Sequence, residues 1–198
     1  MANREFTEEE ANTHNTRTKE AWEIINPLII LNETPVRGKP SWFERRKLKR
    51  AISLFERARE INPDGYSPMW ALGMIFQRLG DNTVALKWFE HAHNANPEQP
   101  DVAREAALSA LDVGDSTSAL RFCKVAIELS PNDAGLVSNL ALAHILAGDD
   151  ESAFRAAEEA TSRDPSDAIS KTVLKFVEDV RQGRKPRPRT LAEAFPLQ

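Results

Sequence analysis

Imidazole, thiol and carboxylate groups are where chemistry would begin, and the chain holds four histidines, one cysteine and 30 acidic residues to supply it. His91 and His93 are two apart, so on a helix their rings diverge and cannot share a metal ion. His144 falls among apolar residues in "NLALAHILAG", and His14 lies in a polar N-terminal stretch. Cys123, in "ALRFCKVAIEL", reads as a small buried apolar residue. A glycine-rich phosphate loop, G-x-S-x-G, H-E-x-x-H and any Cys/His cluster with metal spacing are all missing. The carboxylates fall at surface and capping positions, so the sequence predicts a protein without catalytic residues, metal or cofactor.

The residues must therefore work as surface, and their distribution is uneven. Residues 61–180 carry 9 Lys+Arg against 19 Asp+Glu. Residues 41–60 carry 7 against 3, and residues 181–198 carry 5 against 1, so an acidic body has basic ends. The longest apolar run, "IINPLIIL", is broken by Pro27 and is far short of a membrane span of about 18 residues. The first 20 residues form neither a secretory signal nor a transit peptide, which sets the expectation of a cytosolic protein with no membrane partner. A lone cysteine leaves no internal disulfide to form.

The elements that position this surface are legible as a repeat. "AISLFERAREINPDG", "ALKWFEHAHNANPEQ", "ALRFCKVAIELSPND" and "AFRAAEEATSRDPSD" align without a gap. Ala51, Ala85, Ala119 and Ala153 are 34 apart, as are Ala58, Ala92, Ala126 and Ala160, and Pro63, Pro97, Pro131 and Pro165. Gly80-Asp81, Gly114-Asp115 and Gly148-Asp149 hold the same period. Glycine closes one helix in the left-handed conformation and aspartate caps the next. The residue before each proline is pushed out of helical geometry, so each unit reads as helix A, a Gly-Asp turn, helix B and a stop. Ala85 and Ala92, about two turns apart, share a face where a neighbouring helix can approach closely, and Gly73, Ala107 and Ala141 hold the matching small position on helix A.

This pattern resembles the tetratricopeptide repeat. Leu72, Gly73, Phe76, Ala85, Phe89, Ala92 and Pro97 occupy that family's positions, with Met69 where tryptophan is usual. The third and fourth units are weaker, with Ala110 and His144 in the tyrosine column and Cys123 and Ala157 in the phenylalanine column. The resemblance implies an all-α, right-handed superhelical solenoid of stacked antiparallel helix pairs whose A helices line a concave groove for a protein or peptide partner. Carried over position by position, it implies groove contacts at Trp70, Met74, Gln77 and Arg78 in the second unit, Arg104 and Leu108 in the third, Asn139 and Leu142 in the fourth, and Val173 on the covering helix. Trp70 and Met74 are the expected anchors; Leu108 and Leu142 compete with a plain core role. A branch of the family clamps a peptide's terminal carboxylate, but Leu108 stands where it needs asparagine and Ile169 and Val173 where it needs cations, so that ligand is not expected.

The organisation that follows is a flexible lead (1–15), a divergent first repeat with an inserted loop (16–65), repeats at 66–99, 100–133 and 134–167, a covering helix (168–183) and a basic, proline-rich tail (184–198). Pro35, Gly38 and Pro40 fall where the first A helix should be. Residues 17–32 are expected to replace it, with Pro27 kinking that helix or starting a new turn. Downstream, Ser41 and Glu44 form a capping box for one long helix, with Trp42 and Phe43 expected to pack on the displaced helix. In the tail, Thr190 and Glu193 form a second box that puts Leu191 and Phe195 on one face. The tail either stays solvated or docks on acidic repeat surface, its own or a neighbour's. The functional expectation is a non-enzymatic scaffold binding a peptide or partner segment. The alternatives are a homo-oligomer assembled through the tail or the N-terminal helix, and nucleic-acid binding through "ERRKLKR" and "RKPRPR", which the acidic body disfavours.

Overall fold

The computed structural model describes residues 7–31, 34–35 and 38–196. Residues 1–6 of the expected lead, 32–33 and 36–37 of the inserted loop and 197–198 of the tail lie outside the described residues. The chain forms two compact units, residues 1–96 and 97–198.

The first unit contains α1 (Glu8–Ile29), a two-residue antiparallel pairing of β1 (Ile30–Leu31) with β2 (Thr34–Pro35), α2 (Trp42–Ile61), α3 (Tyr66–Leu79) and α4 (Asn82–Ala95). The displaced first helix exists and packs along α2, as its apolar spacing requires. It starts earlier than expected: residues 8–15 are helical, not frayed. Thr7 and Glu10 make a capping box, with the Glu10 amide donating to Thr7 Oγ1 at 3.2 Å and the Thr7 amide to Glu10 Oε2 at 3.0 Å. His14 Nδ1 lies 2.9 Å from the Ala58 carbonyl, tying that early turn to α2. Pro27 sits in the helix, which ends two residues later.

Ser41 caps α2 as expected, its amide donating to Glu44 Oε2 at 2.6 Å and its hydroxyl accepting from the Glu44 amide at 3.3 Å. Trp42 and Phe43 do not pack on α1. They are 65% and 72% exposed and stack edge to face on each other, ring centroids 4.9 Å apart. The inward face of α2 is set by Leu48, Ala51, Phe55 and Ala58, and residues 42 and 43 lie off it. Trp22 of α1 fills the contact instead, edge to face with Phe55 at 5.7 Å. Phe55, Leu48, Ile25, Leu72 and Ile75 are fully buried together, each contributing about 1.5–3 kcal/mol by leaving water.

The second unit contains α5 (Pro100–Val113), α6 (Ser116–Leu129), α7 (Ala134–Ala147), α8 (Asp150–Arg163), α9 (Ala168–Arg181) and α10 (Leu191–Ala194). The chain pairs α5 with α6 and α7 with α8, and α9 packs on both α7 and α8 as the covering helix. Each turn follows the repeat grammar. Gly114 and Gly148 close their helices at φ 77° and 85°, while the Asp115 and Asp149 carboxylates accept from the Ser118 and Ser152 amides. Gly183, at φ 70°, follows the end of α9. Ala119, Ala126, Ala153 and Ala160 are all fully buried, so the small columns are the places where helices touch.

Candidate functional site

In the first unit α3 presents the expected anchors, but α1 already covers them. Trp70 is half-buried with its ring 5.7 Å from that of Trp22, whose Nε1 donates to Ser67 Oγ at 3.4 Å. The Trp70 Nε1 is buried without a hydrogen-bond partner among the described residues. Met74 packs against the core that includes Ala21, Ile25 and Leu28. Arg78 is structural: only 7% of its side chain is exposed, its Nε donates to the Leu28 carbonyl at 2.9 Å and a terminal nitrogen to the Gly38 carbonyl at 2.5 Å. Its guanidinium also lies 3.6 Å from Glu44, a carboxyl that the Ser41 amide and hydroxyl hold below its ordinary pKa with the help of this charge. Arg78 therefore fastens the inserted loop. Gln77 is half-buried.

The basic run of α2 is partly committed as well. Arg50 pairs with Glu20 at 2.5 Å and Arg46 lies over the Trp42 ring at 5.9 Å. Trp42, Arg45, Arg46 and Lys49 line a shallow cleft with Phe76 and Leu79.

The second unit gathers the remaining positions. Asn139 and Leu142 of α7 and Ala168, Ile169, Thr172 and Val173 of α9 line a cleft of about 360 Å³. The walls are apolar, with one half-buried amide, Asn139, to orient a ligand. Beneath it, Ser138 Oγ and Ser170 Oγ lie 2.9 Å apart and fully buried, fixing α7 against α9. Leu142 and Val173 are 3% and 2% exposed, Leu108 is half-buried and Ile145 is core. Arg104 is paired with Asp101 at 3.2 Å and Asp133 at 2.9 Å, so its charge joins α5 to the start of α7. Burial raises the Asp112 carboxyl above its ordinary pKa.

The tail forms one side of this cleft. Leu191 and Phe195 form its remaining wall, and the Phe195 ring lies 5.1 Å from that of Phe176 on α9. Arg187 reaches the other end of α7, donating to the Ile145 carbonyl at 2.8 Å and pairing with both Asp150 oxygens at 2.8 and 3.0 Å. Pro188 and Ala194 are buried. The Thr190 cap on α10 is present, with the Glu193 amide donating to its hydroxyl at 3.3 Å. The alternating prolines and this box were readable in the sequence, but the Arg187–Asp150 pair joins residues 37 apart with no pattern to reveal it.

Other groups with chemical potential are structural. Burial pushes the Cys123 thiol up to about 12 and burial also lowers His144, whose Nδ1 lies 3.7 Å from Asp149. Among the described residues no three His, Cys, Asp or Glu side chains meet to hold a metal ion. No helix among them is long and apolar enough to cross a membrane.

Helix pairs joined by Gly-Asp turns, small residues at each contact and a covering helix define an all-α repeat scaffold of the kind used for protein–protein contact. The tetratricopeptide repeat model matches residues 43–100 and 71–134. Residues 43–134 of the chain carry tetratricopeptide repeats. No curated protein matches it. Among solved structures, it is similar to MamA from Desulfovibrio magneticus, with 18% identity, a TM-score of 0.67 and 84% of this chain and 86% of that one covered. It is also similar to YrrB, described as a repeat protein with an unusual peptide-binding site, with 18% identity, a TM-score of 0.63 and coverage of 96% and 92%. PilF of Pseudomonas aeruginosa gives 13% identity, a TM-score of 0.61 and coverage of 89% and 72%. At these identities the likeness is one of fold.

Proposed function

We propose that the protein is a non-enzymatic, cytosolic scaffold that recruits a short peptide segment of a partner protein on the A-helix face of its second unit. The observation that carries this reading is the cleft between α7 and α9, apolar on its walls and marked by the Asn139 amide. Leu142 and Val173 supply the apolar floor, and Asn139 can donate to a ligand carbonyl or accept from its amide. The expected anchors of the first unit, Trp70 and Met74, are engaged by α1, so the reading rests on the second unit. The lone, core-packed Cys123 is compatible with the proposed cytosolic location.

Affinity capture with the full chain tests this. An Asn139→Ala/Thr172→Glu variant of unchanged helicity should lose partners that the wild type retains. Retention of every partner would move the binding surface to the B helices and overturn the reading. A second reading, self-assembly, draws on the tail: contacts made within one chain can be exchanged with a neighbour through the same residues. A sedimentation mass that rises with concentration is its expected sign.

A further inference from the structure

The tail does more than lie near the cleft, and its chemistry has two distinct parts. Residues 184–189 form a basic, non-helical stretch, and residues 191–194 form one helical turn that presents Leu191 and Phe195 four residues apart. Each part has its own receptor. Arg187 donates to Asp150 Oδ2 and to the carbonyl of Ile145 near the end of α7, a charge-assisted contact at a defined position. Leu191 and Phe195 are half-buried and form one wall of the apolar cleft, with the Phe195 ring 5.1 Å from that of Phe176. Between them the Arg189 carbonyl passes so close to Gly114 that a Cβ there would collide with it. Gly80 and Gly148 close their helices in the same conformation with nothing within 4 Å of a Cβ, so that close approach is specific to the turn under the tail.

We infer that the cleft of the second unit recognises a basic, non-helical segment ending in a helical turn with apolar residues four apart, and that the chain's own residues 187–195 are its resident ligand, so an external partner segment binds in competition with them. The inference rests on the proposed peptide-binding role and adds the class of ligand and the way access is controlled. A partner that succeeds carries an arginine to replace Arg187 on Asp150 and a Leu/Phe pair to replace Leu191 and Phe195. Until then the scaffold is closed by its own tail.

The probe is a fluorescein-labelled synthetic peptide of residues 184–198, titrated by anisotropy against the full-length wild type and a full-length Arg187→Glu/Phe195→Ala chain. A tail that closes the cleft in about nine molecules of ten weakens an external copy about tenfold, because only the open fraction binds. The expected result is binding at least about tenfold tighter to the substituted chain, abolished when Ile169→Glu is added at the cleft rim, a position already 68% exposed. Gly114→Ala, which crowds Arg189, should release the cleft like the tail substitutions, and Gly148→Ala should not. Equal affinity for wild type and substituted chain, still abolished by Ile169→Glu, overturns the resident tail and leaves the peptide-binding role standing. No binding to the substituted chain overturns the ligand class, while the capture experiment with Asn139→Ala/Thr172→Glu judges the peptide-binding role separately. Release of wild-type inhibition on dilution, with a falling mass, would assign the tail's site to a second copy and overturn the intramolecular form.

Discussion

At Gly73 one hydrogen decides whether two helices can meet. A Cβ there would lie 2.5 Å from the Phe89 ring, which is fully buried and cannot step aside. Alanine ordinarily gains about 1 kcal/mol over glycine inside a helix, but the overpacking costs more. Gly73→Ala should lower stability by about 1–3 kcal/mol in chemical denaturation. The resemblance identified this column correctly, because glycine at a helix contact leaves a mark in the sequence. It gave no sign of the Trp22–Trp70 contact, because nothing local says that Trp22, 48 positions earlier, will pack on Trp70. Trp70→Ala should therefore cost about 3 kcal/mol of stability, whereas Trp70→Phe, which removes the unpaired buried N–H, should cost little; thermal denaturation separates the two. His144 gives a pH signature. Burial holds its pKa below the ordinary 6.5, so the unfolded chain takes up the proton first as pH falls. The neutral ring's contribution is complete above about 6.5, and is lost progressively below it. Stability should fall with acidification in that window, and His144→Gln should flatten the fall.

At the level of elements, the 34-residue grammar made the B helices and their turns legible. The Gly-Asp pairs and prolines act through backbone geometry, which sequence states directly. Asp115→Ala should remove one N-cap and cost about 1 kcal/mol, while Asp115→Asn, which can still accept from the Ser118 amide, should cost less; urea denaturation reads both. Elements outside the repeat were harder to place. The start of α1 depended on the Thr7/Glu10 box inside a polar stretch that composition alone marks as loose. The exposure of Trp42 and Phe43 depended on the rotational phase of α2, which its core residues fix and its first turn does not. The tail's short helix was readable from Thr190 and Glu193, yet its receptor was not. The receptor combines the last turn of α7, the first of α8 and a face of α9.

For the whole molecule, the repeat explains why a chain with so few chemically cooperating residues folds. A helical hairpin cannot bury both faces alone, and each added pair supplies the missing core. The same construction leaves an A-helix face on each unit, and the two ends of the sequence treat these faces differently. In the first unit α1 is built into the core through Trp22 and Ile25. In the second the tail lies against the cleft through the Arg187–Asp150 and Arg184–Asp179 ion pairs, Lys185 over the Phe176 ring, two apolar side chains and a single helical turn. Few contacts of that kind hold a segment that opens easily, whereas α1 can leave only by unfolding its unit. Hydrogen exchange should show residues 187–195 of the wild type exchanging far faster than α1 residues 18–28, yet more slowly than an undocked segment would. The Phe195→Ala chain is the comparison in which that protection should vanish.

The most direct measurement is photo-crosslinking from the cleft itself, with a benzophenone amino acid at Thr172 and, as control, at exposed Glu158 on α8. In the purified full chain the Thr172 probe should join to residues 191–196 of the same molecule. In extract from the source cell, the Phe195→Ala chain should exchange that adduct for one with a partner protein, and the Glu158 probe should give neither. Partner adducts from Glu158 alone, with none from Thr172 in either chain, would contradict a binding surface on the A-helix face of the second unit.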